Sequence, residues 1–240
     1  MASATNPVSI DRPMVERIVR QVALEYLGRD ECGVANHKSS SLSRDSEGKE
    51  PELVVQTSSR HMHVCREDMD VLFGPGTELT FDRPLFQEGN FAAKEAVTIV
   101  GPRSRIISNL RILGPMRKQS QVELAFTDAI MLGFNDLPVR LSGNIKGTPG
   151  AVIIGPKGVV ELKEGVIRAA IHAHMNPQEA AHFGVKQGDM MKLRVGGPSG
   201  VTFNNVHVRI DPTSRLNVHM DTDEANACGL HLTKDVELFK

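Results

Sequence analysis

Tryptophan is absent from the 240-residue chain, tyrosine occurs once, and aromatic residues make up 4% of it. Few side chains are available to stack on bases, which argues against binding single-stranded nucleic acid. An excess of charge of one sign is also missing, because 28 Lys+Arg against 29 Asp+Glu leave a formal net charge of -1. Without a basic field to gather phosphates at long range, nucleic acid is not the expected partner. Cysteine is scarce and odd in number. Cys32, Cys65 and Cys228 lack CxxC spacing, which argues against a disulfide framework or thiolate zinc knuckle and implies a reducing compartment. No apolar run approaches the roughly eighteen residues of a membrane span, and the start lacks the basic and apolar blocks of a secretory signal. The expectation is an intracellular protein without a membrane partner. The rest is ordinary globular composition, 40% apolar and 24% charged, enough for one large domain or two small ones.

The chain divides into a short outrigger and a body. Residues 13–27, PMVERIVRQVALEYL, set Val15, Ile18, Val19, Val22 and Tyr26 at helical spacing, with charged residues on the other side. Asp11 can cap the start and Gly28 the end. Positions 28–50 have almost no apolar residue and are rich in Ser, Gly and charge, so residues 1–50 read as a docking helix on a disordered linker. The same amphipathic helix could instead fold back onto the body. From residue 51 onward, short segments rich in Val, Ile and Leu alternate with Gly and Pro turns: ELVVQT, ELTF, AVTIVG, RIISNLRIL, VRLSG, AVIIG, VVEL, MKLRV, VTFNNVHVRI and DVELF. No helical segments of ten or more residues alternate with them. The body is therefore expected to be mainly β, as small barrels or sandwiches.

An internal repeat carries the chemistry. HAHMNPQEAAHFG at 172–184 aligns without a gap on NVHMDTDEANACG at 217–229. Asn176 and Asp221 each stand three residues before a glutamate, which predicts a capping box opening a short helix in both copies. HMHVCREDMDVLFG at 61–74 repeats the His-x-His. VELAFTDAIMLG at 122–133 is the weakest copy and puts Glu123 where His174 and His219 stand. Alternate residues of a strand share a face, so His61 with His63, and His172 with His174, can each converge on one ion. Adding Glu123 and His219 gives six ligands, which suit two ions of three ligands each with an open position, as catalytic zinc requires. A single His-x-His pair is more readily explained by hydrogen-bonded strand-end histidines. Two pairs within a repeat favour metal, whereas His37, His182, His207 and His231 lack that context.

RILGPMRKQSQVELA at 111–125 adds a second constellation. A Gly-Pro turn places Arg117 and Lys118 within six residues of Glu123. A guanidinium beside cations makes sense if an anion sits between them, and arginine suits bidentate phosphate contact. The turn alone is equally compatible with solvated basic residues.

RHMHVCREDMDVLFG, GPMRKQSQVELA, IHAHMNPQEAAHFGV and NVHMDTDEANACG together resemble the phosphotransacylases of the PduL type, the phosphate propanoyltransferases of bacterial microcompartments, over about residues 52–240. The resemblance implies a mainly β fold of two small barrels with short capping helices. Residues 51–60 with 170–240 would form one barrel and 61–169 the other, with a dinuclear metal site between them and the helix tethered outside. It implies zinc, or a similar divalent transition metal, on His61, His63 and Glu123 and on His172, His174 and His219, with Arg117 binding phosphate. Coenzyme A would contact Thr57, Ser58, Ser59, Arg103, Arg111 and Asn226. Cys65 and Ala125 depart from small polar or hydroxyl residues common there. The implied reaction is reversible: a short-chain acyl-CoA and phosphate give acyl phosphate and free coenzyme A. A dinuclear metallohydrolase acting on thioesters or phosphoesters would use the same six ligands. The 13–27 helix resembles encapsulation peptides, implying a microcompartment shell protein as partner and a place in the bacterial cytoplasm inside a microcompartment. A homo-oligomer is left open.

Overall fold

The structure is a computed structural model and describes residues 51–240; the helix expected at 13–27 and its linker lie outside the described residues. The body is mainly β, with four α-helices of six to eight residues among the described residues. A six-stranded sheet runs in the order β1 (Val54–Ser58), β14 (Asn217–Asp221), β11 (His172–Met175), β13 (Val201–Ile210), β12 (Met190–Val195) and β15 (Val236–Phe239). A nine-stranded sheet runs β7 (Val139–Arg140), β10 (Val166–Ala169), β6 (Gln121–Glu123), β2 (His61–His63), β5 (Ile106–Gly114), β4 (Phe91–Val100), β8 (Ala151–Ile154) and β9 (Val159–Leu162), with β3 (Phe81–Pro84) paired to β4. Each sheet has its own apolar core. Met62, Leu72, Ile99, Ile112 and Ile153 are among the side chains filling the core of the nine-stranded sheet, while Met175, Met191, Leu193 and Val218 are among those filling the core of the six-stranded sheet. Alternation explains the sidedness: in β12 the residues at 191, 193 and 195 are buried while 190, 192 and 194 are exposed.

The expected segments differ from the strands in three places. ELTF contributes only Phe81 to a strand, and that strand continues to Pro84 along the sheet edge, where proline needs no ladder donor. VRLSG is extended only at Val139–Arg140, because Ser142 and Gly143 turn away. Val166–Ala169, which carries no turn signal of its own, is an additional strand between β7 and β6. No helix among the described residues is long and apolar enough to cross a membrane.

All four repeat copies run strand, cap, helix. After β11, Asn176 accepts from Glu179 N while the Glu179 side chain accepts from Asn176 N, and Gly184 follows helix α3 (Pro177–Phe183) at φ 62. After β14, Asp221 and Glu224 form the same box at helix α4 (Thr222–Ala227). The copies at α1 (Arg66–Phe73) and α2 (Phe126–Leu132) begin at Cys65 and Ala125, whose side chains cap nothing. Other elements supply the missing polar groups. Ser120 Oγ accepts from Cys65 N at 3.0 Å and donates to Asp68 at 2.5 Å, while Asp223 accepts from Thr127 N at 2.8 Å at the start of α2. Buried cap groups left unmatched would each cost about 1–3 kcal/mol.

Candidate active site

Strand register assembles the six ligand-type residues. β2 and β6 are antiparallel with His61 opposite Glu123, and β11 and β14 are antiparallel with His172 opposite His219. His63 and His174 join their partners by the two-residue period. Two clusters result, His61–His63–Glu123 and His172–His174–His219, each with ligand atoms within 4.8 Å of one another. His61, His63, Glu123 and His172 are buried, while His174 and His219 are half-buried.

The donor atoms are oriented. Nδ1 of His61 lies 2.8 Å from Ser59 O, and Nδ1 of His172 lies 2.8 Å from Ala170 O. A carbonyl can only accept, so each Nδ1 carries a proton and each Nε2 presents its lone pair when the ring is neutral. The Nε2 atoms of His61 and His63 are 3.2 Å apart, and those of His172 and His174 are 3.1 Å apart. Two tetrahedral Zn–N bonds of about 2.05 Å span about 3.3 Å, so these spacings fit one ion per pair. His219 is set differently, with Nε2 3.1 Å from Gln56 Oε1.

Electrostatics separates the clusters. Burial opposes ionisation of Glu123, but His61 and then His63 hold its carboxyl well below the usual carboxylate range. Burial would lower His61, yet the Glu123 carboxylate pulls it above its ordinary value. Burial, reinforced by His61, pushes His63 down to about 3. In the other cluster burial likewise lowers His172, takes His174 to about 3 and His219 to about 4. The shifts of Glu123, His63, His172, His174 and His219 all favour the form that ligates metal, and that of His61 opposes it.

All six line one cavity of about 790 Å³, together with Thr57, Ser58, Ser59, Arg111 and Arg117. Arg117 is exposed, and its backbone N donates to Val64 O at 2.9 Å, which ties the turn after β5 to the strand bearing His63. Its guanidinium reaches Glu123 through a hydroxyl: Arg117 Nη1 donates to Ser142 Oγ at 2.9 Å, and Ser142 Oγ donates to Glu123 Oε1 at 2.7 Å. Arg111 stands beside His61 in parallel register and donates to Asp82 and to Ala93 O. Arg103 and Asn226 lie apart from these residues. Arg103 donates to Asn135 at 3.2 Å, its stem lies against Gly133, and Asn226 is exposed on α4; neither lines the cavity.

Several site residues escaped the sequence reading. Gln121 donates to Glu123 Oε1 at 2.6 Å, and Asn217 donates to Gln56 at 3.1 Å. Each stands two positions before a ligand, so strand periodicity could have flagged both. Ser142 and Gln56 arrive from distant elements and carried no local signal. Arg168, on β10, pairs with Asp221 and Glu224 immediately after His219 and packs over the Phe126 ring at 4.9 Å.

A family model described as phosphate propanoyltransferase matches residues 54–231. A phosphate propanoyltransferase of Planctopirus limnophila is 50% identical over 234 residues, covering 97% of this chain and 93% of its own. One from Thermotoga maritima is 50% identical over 184 residues, 76% of this chain and 87% of its own. One from Rhodopseudomonas palustris is 41% identical over 234 residues, 97% of this chain and 100% of its own.

Proposed function

The chain belongs to the phosphate propanoyltransferase family, and on that footing we propose that it transfers a short-chain acyl group between coenzyme A and phosphate. One observation supports this most directly: two three-ligand clusters, built on equivalent strand pairs, face one cavity beside an arginine coupled to one of them. His61, His63 and Glu123 would hold one zinc ion, and His172, His174 and His219 the other. Bound there, such ions supply Lewis acidity for the thioester carbonyl and charge neutralisation for phosphate and the departing thiolate. The protein's own residues do the rest. The Ser59 and Ala170 carbonyls fix the imidazole tautomers, Gln121 and Ser142 orient the Glu123 carboxylate, and Arg117 receives the phosphate. Thr57, Ser58, Ser59 and Arg111 line the cavity where coenzyme A would enter; Arg103 and Asn226 would contact it only from outside.

We read the two sheets as the cores of two barrels, residues 51–60 with 170–240 and residues 61–169. The 13–27 helix is read as a tether to a microcompartment shell protein, which would place the enzyme inside a microcompartment. Alignment to the P. limnophila and R. palustris relatives over 97% of the chain supports treating the N-terminal region as a shared feature. The test is an acyl-CoA and phosphate thiol-release assay with metal analysis. Acyl phosphate among the products is expected; free acid without acyl phosphate would replace this reading with a metallohydrolase.

A further inference from the structure

The arginines around the cavity are not equally engaged. Arg60 is paired to Asp128 at 2.7 Å and Arg111 to Asp82 at 2.9 Å, while Arg83 stands on the exposed strand β3. Two others remain beside the clusters. Arg117 comes from the turn after β5, and Arg209 comes from β13, where it stands in register with His174. Among the described residues neither is in an ion pair. Asp211, two residues beyond Arg209, is occupied by the N–H and hydroxyl of Thr213 at 2.9 and 2.5 Å. The carboxylates lining the wall are committed as well: Asp128 to Arg60, Asp221 to Arg168 at 2.6 Å, and Glu123 to its own cluster. The charge of Arg209 bears on Arg117. Withdrawal from water lowers Arg117, Glu123 raises it, and the positive charge of Arg209 lowers it again.

The imbalance grows when metal binds. Divalent ions add positive charge to both clusters, and Glu123 is the single carboxylate among the six ligands. The His172 cluster, made only of neutral imidazoles, then faces Arg209 with Asp211, two residues along the chain, as the nearby carboxylate that offsets part of the charge. Like charges gathered at such range are tolerated when an anion lies between them, and a dianionic phosphate offers enough oxygens to meet two planar donors.

We infer that Arg209 is a second phosphate-binding residue, which closes from the six-stranded sheet on the anion that Arg117 receives from the nine-stranded sheet. This rests on the phosphate-transfer reading above, and the experiment separates the two. Binding of inorganic phosphate to the metal-loaded full chain is measured by calorimetry for the wild type, Arg209→Gln, Arg209→Lys, Arg117→Lys and the Arg117→Lys/Arg209→Lys pair. Metal content and the Michaelis constants for phosphate and acyl-CoA are measured alongside. Arg209→Gln should weaken phosphate binding by about tenfold or more, and Arg209→Lys by less, as expected for loss of a charged bidentate donor. Metal content should stay at two ions, and the acyl-CoA constant should move less than about twofold. The paired lysine variant should depart from the product of the single effects, because both residues act on one ligand. Unchanged phosphate affinity in Arg209→Gln overturns the inference. So does loss of metal, which would make Arg209 a support for the histidines, or an acyl-CoA constant rising in step, which would assign it to coenzyme A. If phosphate binding follows Arg209 but no acyl phosphate forms, the inference stands and the transferase reading fails.

Discussion

Arg168 reaches from the nine-stranded sheet to Asp221 on the six-stranded one, Nε to Oδ2 at 2.6 Å, two residues beyond His219. The same guanidinium contacts Glu224, so it engages both carboxylates of the α4 capping box. Burial lowers the Arg168 pKa, but Glu224 and Asp221 together raise it above the ordinary arginine value. Arg168→Met should destabilise the protein by about 3–5 kcal/mol, because two nearly buried carboxylates lose their counterion. Asp221→Asn keeps a good N-cap and should cost less. Denaturant unfolding measures both, and equal losses would remove the charge-based explanation.

Metal content follows the clusters. Wild type should hold two zinc-like ions per chain. Alanine at His61, His63 or Glu123 should empty one site, and alanine at His172, His174 or His219 the other, each with severe loss of turnover. His207, opposite His172 on β13 but outside both clusters, should tolerate alanine without metal loss. Elemental analysis of the seven variants decides this; a single ion in wild type would refute three plus three.

Acid should act on the two sites differently. His61 is raised by Glu123 while the imidazoles of the other cluster are lowered, so zinc entering the first cluster should release more proton than zinc entering the second. Calorimetry in buffers of different ionisation enthalpy should show proton release, which His61→Ala removes. In the metal-free chain, His63, His174 and His219 refuse protons in the fold but accept them when unfolded near pH 6.5. Each therefore destabilises the fold as pH falls from 6.5 toward 4, by up to about 1.4 kcal/mol per pH unit. The raised His61 acts oppositely: its contribution is fully present below pH 6.5 and is lost as pH rises through its folded value.

Arg117→Ala should raise the Michaelis constant for phosphate and lower turnover, by about 2–4 kcal/mol in total, with Arg117→Lys recovering part. Ser142→Ala removes the hydroxyl between Arg117 and Glu123 and should cost about 1 kcal/mol. Both variants should keep two metal ions. Steady-state kinetics with elemental analysis tests this, and metal loss in Arg117→Ala would make the arginine a support for Glu123.

Deletion of residues 1–50 should leave metal content and turnover of the remaining chain at wild-type level, because all six ligand-type residues lie in the unit beginning at Glu50. Co-assembly with shell protein should be lost. On the tether reading, a flexible linker of this length would span about 25–30 Å by random-coil statistics, enough to separate docking from catalysis. Assay and co-purification of the truncated chain check both expectations, and lost catalysis would refute the tether.

The ligand set was legible because its spacing obeys local rules. A spacing of two between histidines is the repeat of a strand, and a spacing of three from Asn176 to Glu179, or from Asp221 to Glu224, is the first turn of a helix. Those relations hold wherever the segments end up, so residue order alone carries them. It could not carry which strand lies opposite which. His61 faces Glu123 across sixty-one intervening residues, and His172 faces His219 through a register that only a folded sheet defines. The groups that tune the site are further removed still: Ser142 from a turn, Gln56 from an N-terminal strand, Arg209 from a hairpin, Arg168 from a strand with no turn signal of its own. None shares a local period with the ligand it serves. Their positions follow from packing two apolar cores against distant partners, a property of the whole chain rather than of any segment.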